Sequence, residues 1–225
     1  AKKVFATEDP DIVIVDYKDD ATAGNGVKHD KFEGKGVLNN TISCIIFDML
    51  EEAGIKTHMI KKLNERDILV KKVDIFPLEV IIRNITTGSF CRRLGAPEGI
   101  VLDEPIFEMS YKNDEYGDPL INDDHAVALK LATREELAYI KETTLKINEL
   151  LKEFFLSMNL KLVDFKIEFG KTADGTILLA DEISPDSCRL WDVDTNQKYD
   201  KDVFRQDIGD LIETYKAVLA RMQNK

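Results

Sequence analysis

Cysteine is scarce in this chain. Cys44, Cys91 and Cys188 are odd in number and far apart, and no Cys-x-x-Cys occurs. That pattern excludes a disulfide framework and a zinc knuckle, and it suits a reducing cytoplasm. Histidine is as rare: His29, His58 and His125 show no ligand spacing, and none is assigned a role. No apolar run approaches the ~20 residues of a membrane-spanning helix, and the opening Ala-Lys-Lys-Val-Phe lacks the layout of a signal peptide. Positive charge is in the minority, 31 Lys and Arg against 42 Asp and Glu, for a net charge of −11. A nucleic-acid backbone or an anionic membrane needs basic stripes, so neither is the expected partner. A small anionic ligand needs only a few local cations and stays open.

What is present is a chain of 225 residues, 44% of them apolar, enough core for one large domain or two modest ones. Residues 2–6 and 12–17 read as strands around an Asp9-Pro10 turn. Residues 18–36, glycine-rich and charged, read as a long functional loop. A helix is expected over 37–53, stopped by Gly54, and strands over 58–62, 67–72 and 78–86. Residues 73–77 read as a crossover or hinge, and 97–124 as irregular. Thr133 and Glu136 form a capping box for a long helix. A last helix is expected from about Val203. Strands mostly precede helices, so the class is α+β.

The segment from Leu162 to Ser184 carries the sharpest signal. Val163, Phe165, Ile167 and Phe169 alternate with Asp164, Lys166 and Glu168. Asp174-Gly175 suits a two-residue hairpin turn. That register sets Glu168 opposite Asp181 and Lys166 opposite Ile183, with Ile177 and Leu179 on the carboxylate face. Two directly opposed carboxylates repel. A Mg²⁺ ion shared with phosphate oxygens would offset the repulsion. The plainer alternative is a solvated face with Lys166 neutralising Glu168.

Three further clusters bear on chemistry. Residues 76–89 run from an apolar strand with Glu79 and Arg83 into Gly88-Ser89, a turn suited to phosphate or carboxylate. Residues 184–192 place Asp186 and Arg189 just after the hairpin, and that arginine can clamp an anion with two nitrogens. Residues 20–28 carry Gly24, Asn25, Gly26 and Lys28, but form neither a Walker loop nor a dinucleotide fingerprint. Together these are the inventory of a phosphoryl-transfer site.

The segments FPLEVIIRNITTGS (76–89) and LVDFKIEFG (162–170) resemble the two signatures of the SAICAR synthetase family. The likeness extends through Ala1-Lys2, residues 20–28, residues 112–114, and residues 181–192. It implies an ATP-dependent ligase of purine biosynthesis that joins the carboxylate of CAIR, a phosphoribosyl aminoimidazole carboxylate, to the amine of L-aspartate, with Mg²⁺. It implies a β-rich N-terminal lobe over 1–73 and a larger α+β lobe over 74–225, in a kinase or ATP-grasp outline. Lys2, Lys112 and Glu168 would contact the nucleotide, with adenine near Val73 and Ile75. Glu168 and Asp181 would hold Mg²⁺. Asn25, Lys28, Arg83, Ser89 and Arg189 would bind substrate. Asp186, orienting the amine, and Lys166 are the catalytic candidates. The family pattern has Gly-Lys ahead of the Ala-Lys pair; this numbering begins at Ala1, which leaves Lys2 to carry that role. A homodimer or larger assembly and a cytoplasmic setting are expected. A small-molecule kinase with Asp186 or Asp164 as base, and a non-catalytic nucleotide sensor, are the alternatives. Dependence of ATP turnover on L-aspartate separates them.

Overall fold

A computed structural model describes residues 2–23 and 28–224. β1 (Lys2–Ala6) and β2 (Ile12–Tyr17) form a hairpin around the Asp9-Pro10 turn. The segment expected as a loop then forms a second hairpin, β3 (Asp20–Ala23) with β4 (Lys28–Lys31). Asn25, a predicted substrate contact, lies outside the described residues. α1 (Lys35–Glu52) buries Ile42, Ile46, Phe47 and Leu50, the apolar stripe of its sequence. β5 (Met59–Lys62) and β6 (Asp67–Lys71) complete a four-stranded sheet in the order β1-β2-β6-β5.

β7 (Asp74–Ile75) and β8 (Leu78–Ile85) follow, then the short α2 (Gly88–Leu94). β9 (Val101–Tyr111) runs straight through a region expected to be irregular. Pro105 sits where the β8–β9 register shifts, between Arg83↔Ile106 and Ile85↔Val101. A proline lacks the N–H that a ladder needs, and a bulge excuses it. β10 (Leu120–Ile121), α3 (Asp123–Ala128) and α4 (Arg134–Leu156) come next. The capping box opens α4 as predicted: Thr133 and Glu136 satisfy each other's backbone N–H groups at 3.2 and 2.8 Å.

β11 (Leu160–Lys171) is the spine of the larger sheet. It pairs with β8 and β13 (Cys188–Asp192) along its first half, and with β7 and β12 (Ile177–Ala180) along its second. The last helix is two: α5 (Asp202–Arg205) and α6 (Leu211–Gln223). Asp210 caps α6 by accepting from Glu213 N–H at 2.9 Å, and this local cap explains the restart.

Two features join the sheets. Residues 56–58 stitch the four-stranded sheet to β12, with His58 N–H donating to Leu179 carbonyl (2.8 Å) and Leu179 N–H to Lys56 carbonyl (3.0 Å). One hydrophobic core runs from Val15, Ile46 and Phe47 through Leu78, Ile82 and Phe165 to Ile140 and Leu151. On β8 and β11 the opposite face carries Glu79, Arg83, Asp164, Lys166 and Glu168.

Candidate active site

The β11–β12 hairpin corrects the predicted register by one residue. Glu168 pairs with Ala180, not Asp181, and Phe169 pairs with Leu179. The loop holds three residues rather than two. Thr172 N–H donates to Thr176 carbonyl, and only Gly175 takes a positive φ, +88°. A three-residue loop closed by a left-handed glycine is the alternative to the two-residue turn. Leu179 therefore lies with the core residues, and Leu178 and Ala180 share the side of Glu168. Lys166 pairs with Ile81 of β8 and donates its N–H to Ser187 carbonyl, not to Ile183.

Asp181 and Glu168 are still linked, through the lysines Lys112 and Lys166 that act on both. Asp181 stands just past β12 with φ +59°, where the chain turns out of the sheet. Lys2, at the start of β1, reaches across to Asp181 Oδ1 (2.6 Å) and Glu182 Oε1 (2.7 Å). Lys112 binds Glu168 Oε2 at 2.6 Å, and Lys166 binds Glu79 at 2.8 Å and Glu168 at 3.4 Å. Burial disfavours ionised Asp181, but Lys2, Lys166 and Lys112 overcome it and hold its pKa below the usual value. Lys166 shows the converse: burial opposes its charge, and Glu79 and Glu168 still raise its pKa.

Beside this lattice lies a cavity of about 410 Å³. Strand alternation builds its floor. Glu79, Ile81 and Arg83 face it from β8, and Asp164 and Lys166 from β11. Register then sets Arg83 opposite Asp164, and Asp164 opposite Arg189 of β13. The result is a row of alternating charge across three strands. Asp164 Oδ2 accepts from Arg83 Nη1 (3.1 Å) and Arg189 Nη1 (2.8 Å). Arg83 also donates to Glu108 (2.7 Å) and Ser89 Oγ (3.0 Å), and Arg189 to Asp202 (2.9 Å). Burial opposes the charge on Arg189, and Asp164 and Asp202 raise its pKa regardless. Glycine suits position 88. Its φ is +57°, and a Cβ would meet Arg189 Nη2 at 2.6 Å.

Asp186 enters the same cavity from a separate cluster. Lys35 binds its Oδ2 at 2.5 Å, the Tyr215 hydroxyl donates to its Oδ1, and Lys201 lies 3.7 Å away. Burial works against its charge, but Lys35 and Lys201 pull its pKa down to about 2. Lys35, Lys201 and Tyr215 were not predicted. They come from α1, the residue before α5, and α6, which no sequence spacing relates to Asp186.

Three predicted residues lie elsewhere. Lys28 donates to Asp207 Oδ1 (2.5 Å) and to Phe204 carbonyl, tying β4 to the α5–α6 corner. Val73 packs on Gly170, where a Cβ would sit 2.4 Å from its Cγ2. Ile75 lines a second cavity of about 690 Å³ between residues 74–77 and the start of α4.

The family model described as SAICAR synthetase matches residues 1–222. The phosphoribosylaminoimidazole-succinocarboxamide synthase of Finegoldia magna is 65% identical over 99% of this chain and 96% of its own length. This chain belongs to the SAICAR synthetase family. Among solved structures, a SAICAR synthetase in complex with ADP is 50% identical, with a TM-score of 0.97 over 100% of this chain and 96% of the other. The Ehrlichia chaffeensis enzyme is 46% identical, with a TM-score of 0.97 over 99% and 95%. The SAICAR synthetase family catalyses the ATP-dependent ligation of CAIR to aspartate in purine biosynthesis, and this chain is an enzyme of that kind. Among the described residues, no helix is long and apolar enough to cross a membrane.

Proposed function

We propose that the 410 Å³ cavity and the lysine–carboxylate lattice beside it are the two halves of the ligase site. The observation that carries this is the row Arg83–Asp164–Arg189, with Ser89 at its end, facing a floor that leads to Glu168. Arg83, Ser89 and Arg189 suit the phosphate of CAIR, because guanidinium forks and a hydroxyl match a tetrahedral anion. Lys2 and Lys112 suit the phosphates of ATP, a role in keeping with the ADP bound by the related structure. Adenine would then lie toward Val73 and Ile75, at the join between lobes 1–73 and 74–225. Lys28, at the start of β4, and Asn25 are the further substrate contacts that the family resemblance implies.

Glu168 and Asp181 fit Mg²⁺. Both offer hard oxygen donors, and Lys2, Lys112 and Lys166 already interleave with them as phosphates would require. Among the described residues no three His, Cys, Asp or Glu side chains converge as a metal cage. Mg²⁺ at a nucleotide needs none, since one or two carboxylates plus phosphate oxygens suffice. When bound, the ion would neutralise charge on the phosphates.

The residues then divide the work. A carboxylate is a poor electrophile, because it is anionic and oxide leaves badly. Transfer of the γ-phosphoryl group to the CAIR carboxylate gives an acyl phosphate and ADP; the aspartate ammonium loses a proton to solvent, the free amine attacks the acyl carbon, and the C–O bond to phosphate breaks as the second proton leaves nitrogen. Lys166 lies between the two halves and would neutralise charge on the transferring group. Asp186 would receive the ammonium of aspartate and orient it. Positioning carries much of the rate. We place the enzyme in the cytoplasm, as a homodimer or larger assembly. CAIR carrying ¹⁸O in its carboxylate should release labelled phosphate when ATP and L-aspartate are both present. Unlabelled phosphate under full turnover would refute the acyl-phosphate route.

A further inference from the structure

The cavity holds two cations that no role above uses. Lys201 stands immediately before α5 and Arg205 ends it, and both line the cavity. Arg205 N–H donates to Lys201 carbonyl at 3.0 Å, so the two are one helical turn apart and share a side. The Lys201 side chain is only 12% exposed, and its nearest carboxylate oxygen, Asp186 Oδ2, is 3.7 Å away. That oxygen already takes the Lys35 ammonium, and Tyr215 takes the other. Burial lowers the pKa of Lys201; Asp186 opposes the fall, and Lys35 and Arg205 add to it. Among the described residues Arg205 commits Nη1 to Asp202 Oδ1 at 2.7 Å, and that contact uses one edge of its fork. Arg83 and Arg189, by contrast, are each braced by two carboxylates.

We propose that Lys201 and Arg205 bind the two carboxylates of L-aspartate, with Asp186 taking its ammonium. This rests on the ligase reading above. The charge pattern is the argument. L-Aspartate carries two negative groups and one positive group. Lys201, Arg205 and Asp186 present two positive groups and one negative group in one cavity. Lys35 offsets part of the Asp186 charge, but only a ligand with a positive group gains from what remains, and a phosphate or a CAIR carboxylate lacks one. One compact ammonium and one planar fork also distinguish the two ends of the amino acid.

Steady-state kinetics of the full chain, with ATP, Mg²⁺, CAIR and L-aspartate, test this. Arg205→Gln and Lys201→Met should each raise the KM for L-aspartate by about tenfold or more, the loss of one charge-assisted contact. The KM values for CAIR and ATP should stay within about threefold, less than the loss of one such contact. Succinate, a dicarboxylate without an amine, should compete with L-aspartate in the wild type and weaken by the same factor in both variants. A rise in the CAIR KM instead, or no change in any KM, overturns the proposal. Arg205 is one-third exposed, so Arg205→Gln decides alone if Lys201→Met fails to fold. A wild-type enzyme whose ATP turnover ignores CAIR and L-aspartate would overturn the ligase reading and this one together, before any variant is made.

Discussion

Asp164 holds two arginines with one oxygen, and it is 5% exposed. Removing one member of a buried charge network leaves the others uncompensated, which costs more than the pair contributes. Asp164→Asn keeps the shape and loses the charge. It should lower unfolding free energy by about 3 kcal/mol in urea melts and raise the KM for CAIR. Unchanged stability and KM together would show that the row is not under electrostatic tension. Arg189→Ala should weaken CAIR about ten- to a hundredfold, the loss of a contact of ~1.5–3 kcal/mol, and ATP far less. Equal losses for both would contradict its assignment. Asp181→Asn should keep the fold and abolish Mg²⁺-dependent turnover; near-normal rates at ordinary Mg²⁺ would sink the metal assignment.

The β11–β12 hairpin shows what an element decides. Its loop length sets which residues face each other, and one residue more moved Asp181 out of register with Glu168. Gly175 closes that loop at φ +88°, in open space. Gly175→Ala therefore tests backbone strain alone and should cost about 1 kcal/mol of stability with kcat unchanged. A loss of activity in that variant would mean the register itself depends on Gly175.

Across the whole molecule, two buried carboxylates set opposite pH trends. Asp186 has its pKa lowered to about 2, so its contribution is present above the ordinary carboxylate range and lost as pH falls toward 2. Burial, with Asp202 close by, raises Asp200 to about pH 7. A raised acid favours folding below its unfolded pKa and loses that contribution as pH climbs through 7. Thermal melts should therefore fall between about pH 4 and 7 and level off above, and Asp200→Asn should flatten that fall. An identical slope in the variant would assign it to other groups.

The sequence alone marked the family, the capping box, the apolar stripes of α1 and α4, and Arg83, Ser89, Lys166, Asp186 and Arg189, which the fold gathers in one cavity. These are local patterns or contiguous signatures, legible because strand and helix periods are fixed by the backbone. It did not determine the hairpin register, which hangs on one loop residue, nor β9, whose Pro105 reads as a breaker until a bulge admits it. It could not relate Lys35, Lys201 and Tyr215 to Asp186, nor Lys2 to Asp181, 179 residues away. Those pairings exist only because α1, α5 and α6 pack together beside the loop before β13, and the start of β1 reaches the end of β12. Side-chain chemistry is written in the chain, but the distances between charges are set by packing.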